Sequence, residues 1–161
     1  MSIVVHQIDA FTEKAFGGNP AVACLLEVAP DTDWMQAVAR EMNLSETAFV
    51  MRRKDGDWSL RWFTPGAEVD LCGHATLASA HFLWDLALIA PDEPARFHTR
   101  SGILTCVRED GWIAMDFPAL PTEAATNPDG LAKALGASPI AVWRSTWDIL
   151  AEFATAQEVR D

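Results

Sequence analysis

Along most of this chain the apolar residues come in short, β-branched runs broken by glycine, proline and aspartate, the pattern of strands and turns. Ile3 to Phe11 and Ala21 to Leu26 read as strands on either side of a polar segment that ends in Gly17-Gly18-Asn19-Pro20. Pro30-Asp31-Thr32-Asp33 then has the look of a helix start, and Trp34, Met35, Val38, Ala39 and Met42 recur behind it at helical spacing. Two further strands, Thr47 to Arg52 and Trp58 to Thr64, flank Asp55-Gly56, which predicts a hairpin because glycine accepts a positive φ.

From Gly73 to about Ile89 the spacing is helical but apolar residues fall on nearly every side. Such a helix belongs inside a core rather than on a surface. Ala95 to Thr99, Ile103 to Arg108 and Trp112 to Phe117 return to strand character, the last two joined by a hairpin at Asp110-Gly111. One buried helix among short strands predicts an α+β fold in which a curled, mainly antiparallel sheet or barrel wraps a central helix. Beyond Pro118 the stretch to Pro128 is small and polar, as in a linker. A short helix, Asp129 to Leu135 before Gly136, two strands (Ile140 to Arg144 and Asp148 to Phe153) and a helix beginning at Ala156 are expected after it. The expected division is therefore 1–118 as one lobe and 119–161 as linker plus the incomplete start of a second.

Composition narrows the function class. Half of the 161 residues are hydrophobic, enough for one core, and the formal charge is −11, from 12 Lys+Arg against 23 Asp+Glu. A phosphate backbone or an anionic membrane surface would be repelled, so neither nucleic acid nor membrane is an expected partner. Met1-Ser2-Ile3-Val4-Val5-His6 has neither the basic start nor the apolar run of a signal peptide, and three scattered cysteines suggest reduced thiols. Together these predict a cytoplasmic protein. A nucleotide cofactor lacks support, since there is no GxGxxG or P-loop spacing; a serine nucleophile lacks a GxSxG elbow; and no metal is expected, because His6, His74, His81 and His98 form no ligand pattern.

Three segments concentrate chemistry: Gly17-Gly18-Asn19-Pro20, Asn43-Leu44-Ser45-Glu46-Thr47 and Asp70-Leu71-Cys72-Gly73-His74-Ala75-Thr76. Taken singly each has a plain structural use: a turn, a cap with a solvated carboxylate, a helix start. Together they form a device. The unpaired N–H groups where the buried helix opens at Gly73 can hold a carboxylate, and glycine lets a ligand come close. The loop at Asn19 could add donors, and a partly desolvated Glu46 suits a general base. Those parts fit removal of a proton beside a bound carboxylate and its return elsewhere. Cys72 is ambiguous: a helix N-terminus favours a thiolate, whereas burial makes it an inert structural residue. Glu46 ranks above it as the acid/base group.

Several of these segments carry a resemblance. Gln7-Ile8-Asp9-Ala10-Phe11-Thr12 followed by Phe16-Gly17-Gly18-Asn19-Pro20-Ala21 resembles the opening of the PhzF, or phenazine-biosynthesis-like, family. Asn43-Leu44-Ser45-Glu46-Thr47-Ala48-Phe49 is similar to its catalytic-glutamate motif. Leu60-Arg61-Trp62-Phe63-Thr64-Pro65 and Glu68 to Ala78 are similar to its central-helix signature, and Thr99 to Leu104 and Met115-Asp116-Phe117-Pro118 continue the match.

The resemblance implies a diaminopimelate-epimerase-like fold of two lobes, each a barrel round an apolar helix, with the site between them. It implies a cofactor-independent isomerase acting on a small carboxylate-bearing substrate; the named member acts on a dihydro-hydroxyanthranilate in phenazine biosynthesis. By resemblance Glu46 moves the proton, Gly73 and His74 line the substrate site, and Asn19 is a further pocket residue. In related epimerases a cysteine is a base, which draws attention to Cys72. The family's second lobe carries a Gly-Glu-Asp-Pro-type motif that nothing after Leu120 matches. A truncated enzyme is thus the leading expectation, beside a non-catalytic remnant lobe and a homodimer that rebuilds a cleft to bind small anions.

Overall fold

In the computed structural model, which describes residues 3–160, a strand forms wherever the β-branched runs predict one. The chain divides into two compact units, the first ending at Phe117 and the second beginning at Pro118.

The first unit holds β1 (Val4–Ala10), β2 (Asn19–Leu26), α1 (Thr32–Met42), β3 (Glu46–Arg52), β4 (Trp58–Phe63), β5 (Glu68–Val69), α2 (Gly73–Asp85), β6 (Ala95–Thr99), β7 (Gly102–Glu109) and β8 (Trp112–Met115). Its sheet runs β1-β2-β3-β4-β6-β7-β8, with β5 sharing the outer edge of β4 with β6. Most neighbours are antiparallel, but β2 pairs with β3 and β4 with β6 in parallel. Among the described residues β1 and β8 do not pair, so the sheet is a curled half-barrel rather than a closed one.

α2 fills the hollow of this sheet, packing on β1, β2, β3 and β8. Its alanines and Ser79 are short enough to bring strands close, and its long side chains Phe82 and Leu83 are fully buried. Truncating Phe82 to alanine would cost roughly 3–5 kcal/mol, the transfer term plus the cavity. Successive residues of a strand face opposite ways, so β2 and β3 feed two cores. Ala21, Ala48 and Val50 join the α2 core; Val22, Cys24 and Phe49 join a second one with Met35 and Ala39 of α1 and Phe63. α1 begins as its sequence suggests, with Asp31 accepting from the Trp34 N–H at 2.7 Å.

Several boundaries differ from expectation: β2 begins at Asn19 and α3 at Leu131. The central helix stops at Asp85, not near Ile89: Ala87 takes a left-handed φ of 51°, and Leu88 N–H turns back to Leu83 O. The last strand of the sheet ends at Met115. The linker-like stretch after Pro118 contains a short strand, β9 (Glu123–Ala124).

In the second unit β9 pairs with β10 (Ala141–Arg144), which pairs with β11 (Ile149–Glu152), all antiparallel. Helix α3 (Leu131–Leu135) is bracketed by Gly130 and Gly136, both left-handed. Helix α4 (Ala156–Arg160) opens on a capping box in which Thr155 and Glu158 exchange backbone and side-chain bonds. Among the described residues no helix is long and apolar enough to cross a membrane.

Candidate active site

Glu46 owes its position to the end of α1. Asn43 takes the left-handed conformation (φ 51°, ψ 36°), which asparagine tolerates, and its N–H bonds to Ala39 O at 3.1 Å. The chain then turns directly into β3, with Glu46 as the first residue of that strand. Because β2 and β3 are parallel, their starting ends lie side by side: Ala21 is opposite Glu46. The Gly17-Gly18-Asn19 turn is thereby carried to the same place, and Ser45 Oγ donates to Asn19 Oδ1 at 3.2 Å. Gly18 is needed there by the fold, since a Cβ on it would lie 2.1 Å from Ala10 O and its φ is +68°.

The start of α2 arrives from the other direction. The segment before it is pinned by Glu68, whose nearly buried carboxylate accepts from Arg61 Nε and Nη2 at 2.6 and 2.7 Å and pairs with Arg100. Arg100 also reaches Asp70, and Ser101 Oγ donates to the Asp70 carbonyl at 2.7 Å. Cys72 caps the helix in extended backbone (φ −150°, ψ 120°), and Thr76 Oγ1 donates back to its carbonyl. Unlike Gly18, Gly73 is not demanded by the fold. A Cβ there would meet only the Phe117 ring, at an ordinary 3.8 Å. Glycine at 73 leaves room beside the helix start and Phe117.

His74 Nε2 lies 3.1 Å from Glu46 Oε2, although 28 positions separate the residues. Both side chains are largely buried, at 10% and 18% exposure. The two facing atoms are buried but not aligned as a hydrogen bond, and each lacks a partner that satisfies it. Buried polar atoms are nearly always satisfied, and each exception calls for an explanation; Thr47 Oγ1, Trp58 Nε1 and Trp62 Nε1 are others in this chain. On its other side the ring contacts Cys72, with Sγ 3.5 Å from Nδ1.

Burial governs protonation here. It holds the His74 ring below the usual imidazole range, with the Glu46 charge pulling weakly the other way. It pushes the Cys72 thiol up to about 12, and the Glu46 charge adds to that while the Ala75 N–H opposes it. Of the two readings of Cys72, desolvation wins over the helix end: it is a thiol. Glu46, Cys72 and His74 do bring oxygen, sulfur and nitrogen donors within 4.8 Å of one another, as do Asp55, Asp57 and His98. Metal capture at the first trio would require the Cys72 proton to leave, which its burial opposes.

Of the residues picked from sequence, Glu46, Cys72, Gly73 and His74 come together, and Asn19 joins through Ser45. Sequence reasoning missed the Cys72–His74 contact and the place of Phe117 over Gly73. The first had a faint signal in the i, i+2 spacing across a helix cap; the second had none, because it depends on where the strand after Gly111 ends.

Residues 8–160 match the family model described as phenazine biosynthesis-like protein, PhzC-PhzF. A protein of Halalkalibacterium halodurans named an uncharacterized isomerase is 49% identical, over 100% of this chain and 61% of its own length. A crystal structure of a PhzF-family phenazine biosynthesis protein from Enterococcus faecalis matches with a TM-score of 0.83 and 36% identity, over 99% of this chain and 60% of that one. A predicted epimerase from Pseudomonas aeruginosa matches with a TM-score of 0.66 at 25% identity, over 88% of this chain and 56% of that one, which extends the likeness to epimerase-like folds. The chain spans 52–61% of the length of three curated relatives it matches.

Proposed function

This chain belongs to the phenazine biosynthesis-like, PhzC-PhzF, family, and from that premise we propose that it supplies the base-bearing lobe of a cofactor-independent isomerase. The substrate is a small molecule in which an acidic C–H lies next to a carboxylate. Glu46 takes that proton; the electron pair left on carbon spreads toward the carboxylate; the same proton, or one from solvent, returns at another carbon. Nothing is oxidised or reduced, and no group leaves.

The observation that carries this reading is the unpartnered pair, Glu46 Oε2 and His74 Nε2, buried 3.1 Å apart at the opening of α2. In a protein interior a carboxylate without a cation or an aligned donor is costly unless something else is meant to meet it. The first-turn N–H groups of α2 and the space over Gly73 suit the substrate's carboxylate. Charge developing on that carboxylate would be stabilised by donors already in place, without reorganisation. An N–H of His74 beside the base would steady the charged form of Glu46.

The test is proton exchange. The chain is incubated in deuterated buffer with a panel of small carboxylates bearing acidic C–H bonds, and deuterium uptake is followed by NMR. Uptake should fall roughly 10²–10⁴-fold in Glu46→Gln, the usual weight of a general acid/base group. A Glu46→Gln chain that exchanges at the wild-type rate overturns the assignment.

A further inference from the structure

We propose that Cys72 is a positioning residue whose thiol donates to His74 Nδ1 and so fixes the ring as the Nε2–H tautomer, leaving an N–H rather than a bare nitrogen beside Glu46. The consequence for catalysis rests on the reading of Glu46 as the base; the tautomer itself does not.

A neutral imidazole has one N–H and one bare nitrogen, and its neighbours decide which is which. Two ionisable side chains pair with this ring, one on each nitrogen: Glu46 faces Nε2 at 3.1 Å and Cys72 Sγ faces Nδ1 at 3.5 Å. With the proton on Nδ1, the Nε2 lone pair would confront a carboxylate oxygen that has no other partner, both buried. With the proton on Nε2, that contact becomes attractive, and Nδ1 is left as an acceptor for which the thiol is the donor at hand. Burial keeps Cys72 protonated, so the S–H is there to donate, and keeps His74 neutral, so there is a tautomer to choose. The cap position explains why a cysteine can do this. Cys72 makes no side-chain bond to its own helix, so its side chain is left for His74 two residues on. A hydrogen bond from the thiol to Nδ1 also stabilises the neutral ring over the cation, which carries a proton at that nitrogen.

The experiment uses the full chain, labelled with ¹⁵N, and reads the imidazole nitrogens of His74 by long-range correlation while pH is varied. The ring is assigned by its absence in His74→Gln. The wild type should show a bare Nδ1 and a protonated Nε2. In Cys72→Ala, two readouts should move together by roughly 3- to 10-fold, the weight of one neutral hydrogen bond: the tautomer ratio toward Nδ1–H, and the proton affinity of the ring upward. Cys72→Ser should restore both, because a hydroxyl can donate in the same place. Backbone amide spectra confirm that each variant is folded; should Cys72→Ala not fold, the wild-type tautomer and the serine variant still decide. A wild-type ring protonated on Nδ1 overturns the proposal, as does a serine variant that behaves like alanine, which would mark a packing effect. Undiminished exchange in Glu46→Gln would overturn the proposed reaction while leaving the tautomer result standing.

Discussion

Among the described residues, two histidine–carboxylate pairs of similar length sit in opposite surroundings. At one end of β3, His74 Nε2 and Glu46 Oε2 are 3.1 Å apart; across the hairpin at the other end, His98 Nε2 and Asp57 Oδ2 are 2.8 Å apart. The second pair is more exposed, at 29% and 26%, and well supplied with positive charge. Arg96 reaches Asp57 at 3.4 Å, and Arg53 grips Asp55 through Nε and Nη2. The His98 bond, aided by Arg96, holds the Asp57 carboxyl below the usual carboxylate range, and Arg53 does the same for Asp55. Both carboxylates there have a positively charged partner, which makes a solvated hairpin clasp. The first pair is buried, has no guanidinium, and leaves two polar atoms unsatisfied. Residue type and distance alone do not distinguish the pair proposed as reactive from the solvated one; burial and the supply of countercharge do.

The largest effect that tests this contrast is on exchange. Glu46→Gln should lower deuterium uptake by roughly 10²–10⁴-fold, while Asp57→Asn should leave it at the wild-type rate. A loss in Asp57→Asn comparable to that in Glu46→Gln would abolish the distinction.

Glycines sharpen it at the next level. Gly18→Ala should destabilise the fold by at least about 1–2 kcal/mol, the cost of a left-handed L-residue, before the clash with Ala10 O is added. Gly73→Ala should instead be tolerated, or gain about 0.5–1 kcal/mol from helix propensity, because its Cβ meets nothing closer than 3.8 Å. Its cost should appear in exchange alone. Urea unfolding beside the exchange assay separates the two, and a Gly73→Ala chain that unfolds as easily as Gly18→Ala would remove the case for space kept open at the helix start.

Acid should separate the pairs by window. His74 has a folded pKa below its ordinary 6.5, so below that pH the unfolded chain binds a proton that the native ring refuses. This contribution to stability is complete above about 6.5 and is lost as pH falls through the depressed value. Asp55 and Asp57 are also depressed, from 3.8, so their contribution persists above that value and is lost only at more acid pH. Urea midpoints measured from pH 7.5 downward should therefore drop in two stages. His74→Gln should flatten the first stage and Asp57→Asn the second; a first stage untouched by His74→Gln would mean that its ring is not held neutral by burial.

Much of this was legible in advance, for reasons that are local. The hairpins at Asp55-Gly56 and Asp110-Gly111 were readable because glycine takes the positive φ their turns require, 94° at Gly56 and 85° at Gly111. The end of α2 was not, because it turns at Ala87, a residue with no preference for the left-handed region. The parallel pairing of β2 with β3 was equally hidden, since strand patterns do not carry direction.

The sequence by itself determined the order of the elements, the helix that is apolar on all sides, and the set of chemically able residues at 19, 46 and 72–74. Those follow from periodicity, backbone freedom and side-chain chemistry, which are properties of short stretches. Only the tertiary structure decided that Glu46 and His74 meet, that neither is satisfied, and that Cys72 is a thiol turned toward the ring rather than a thiolate at a helix end. Distance across a packed interior and loss of water are set by every element around a residue, so no short stretch contains them.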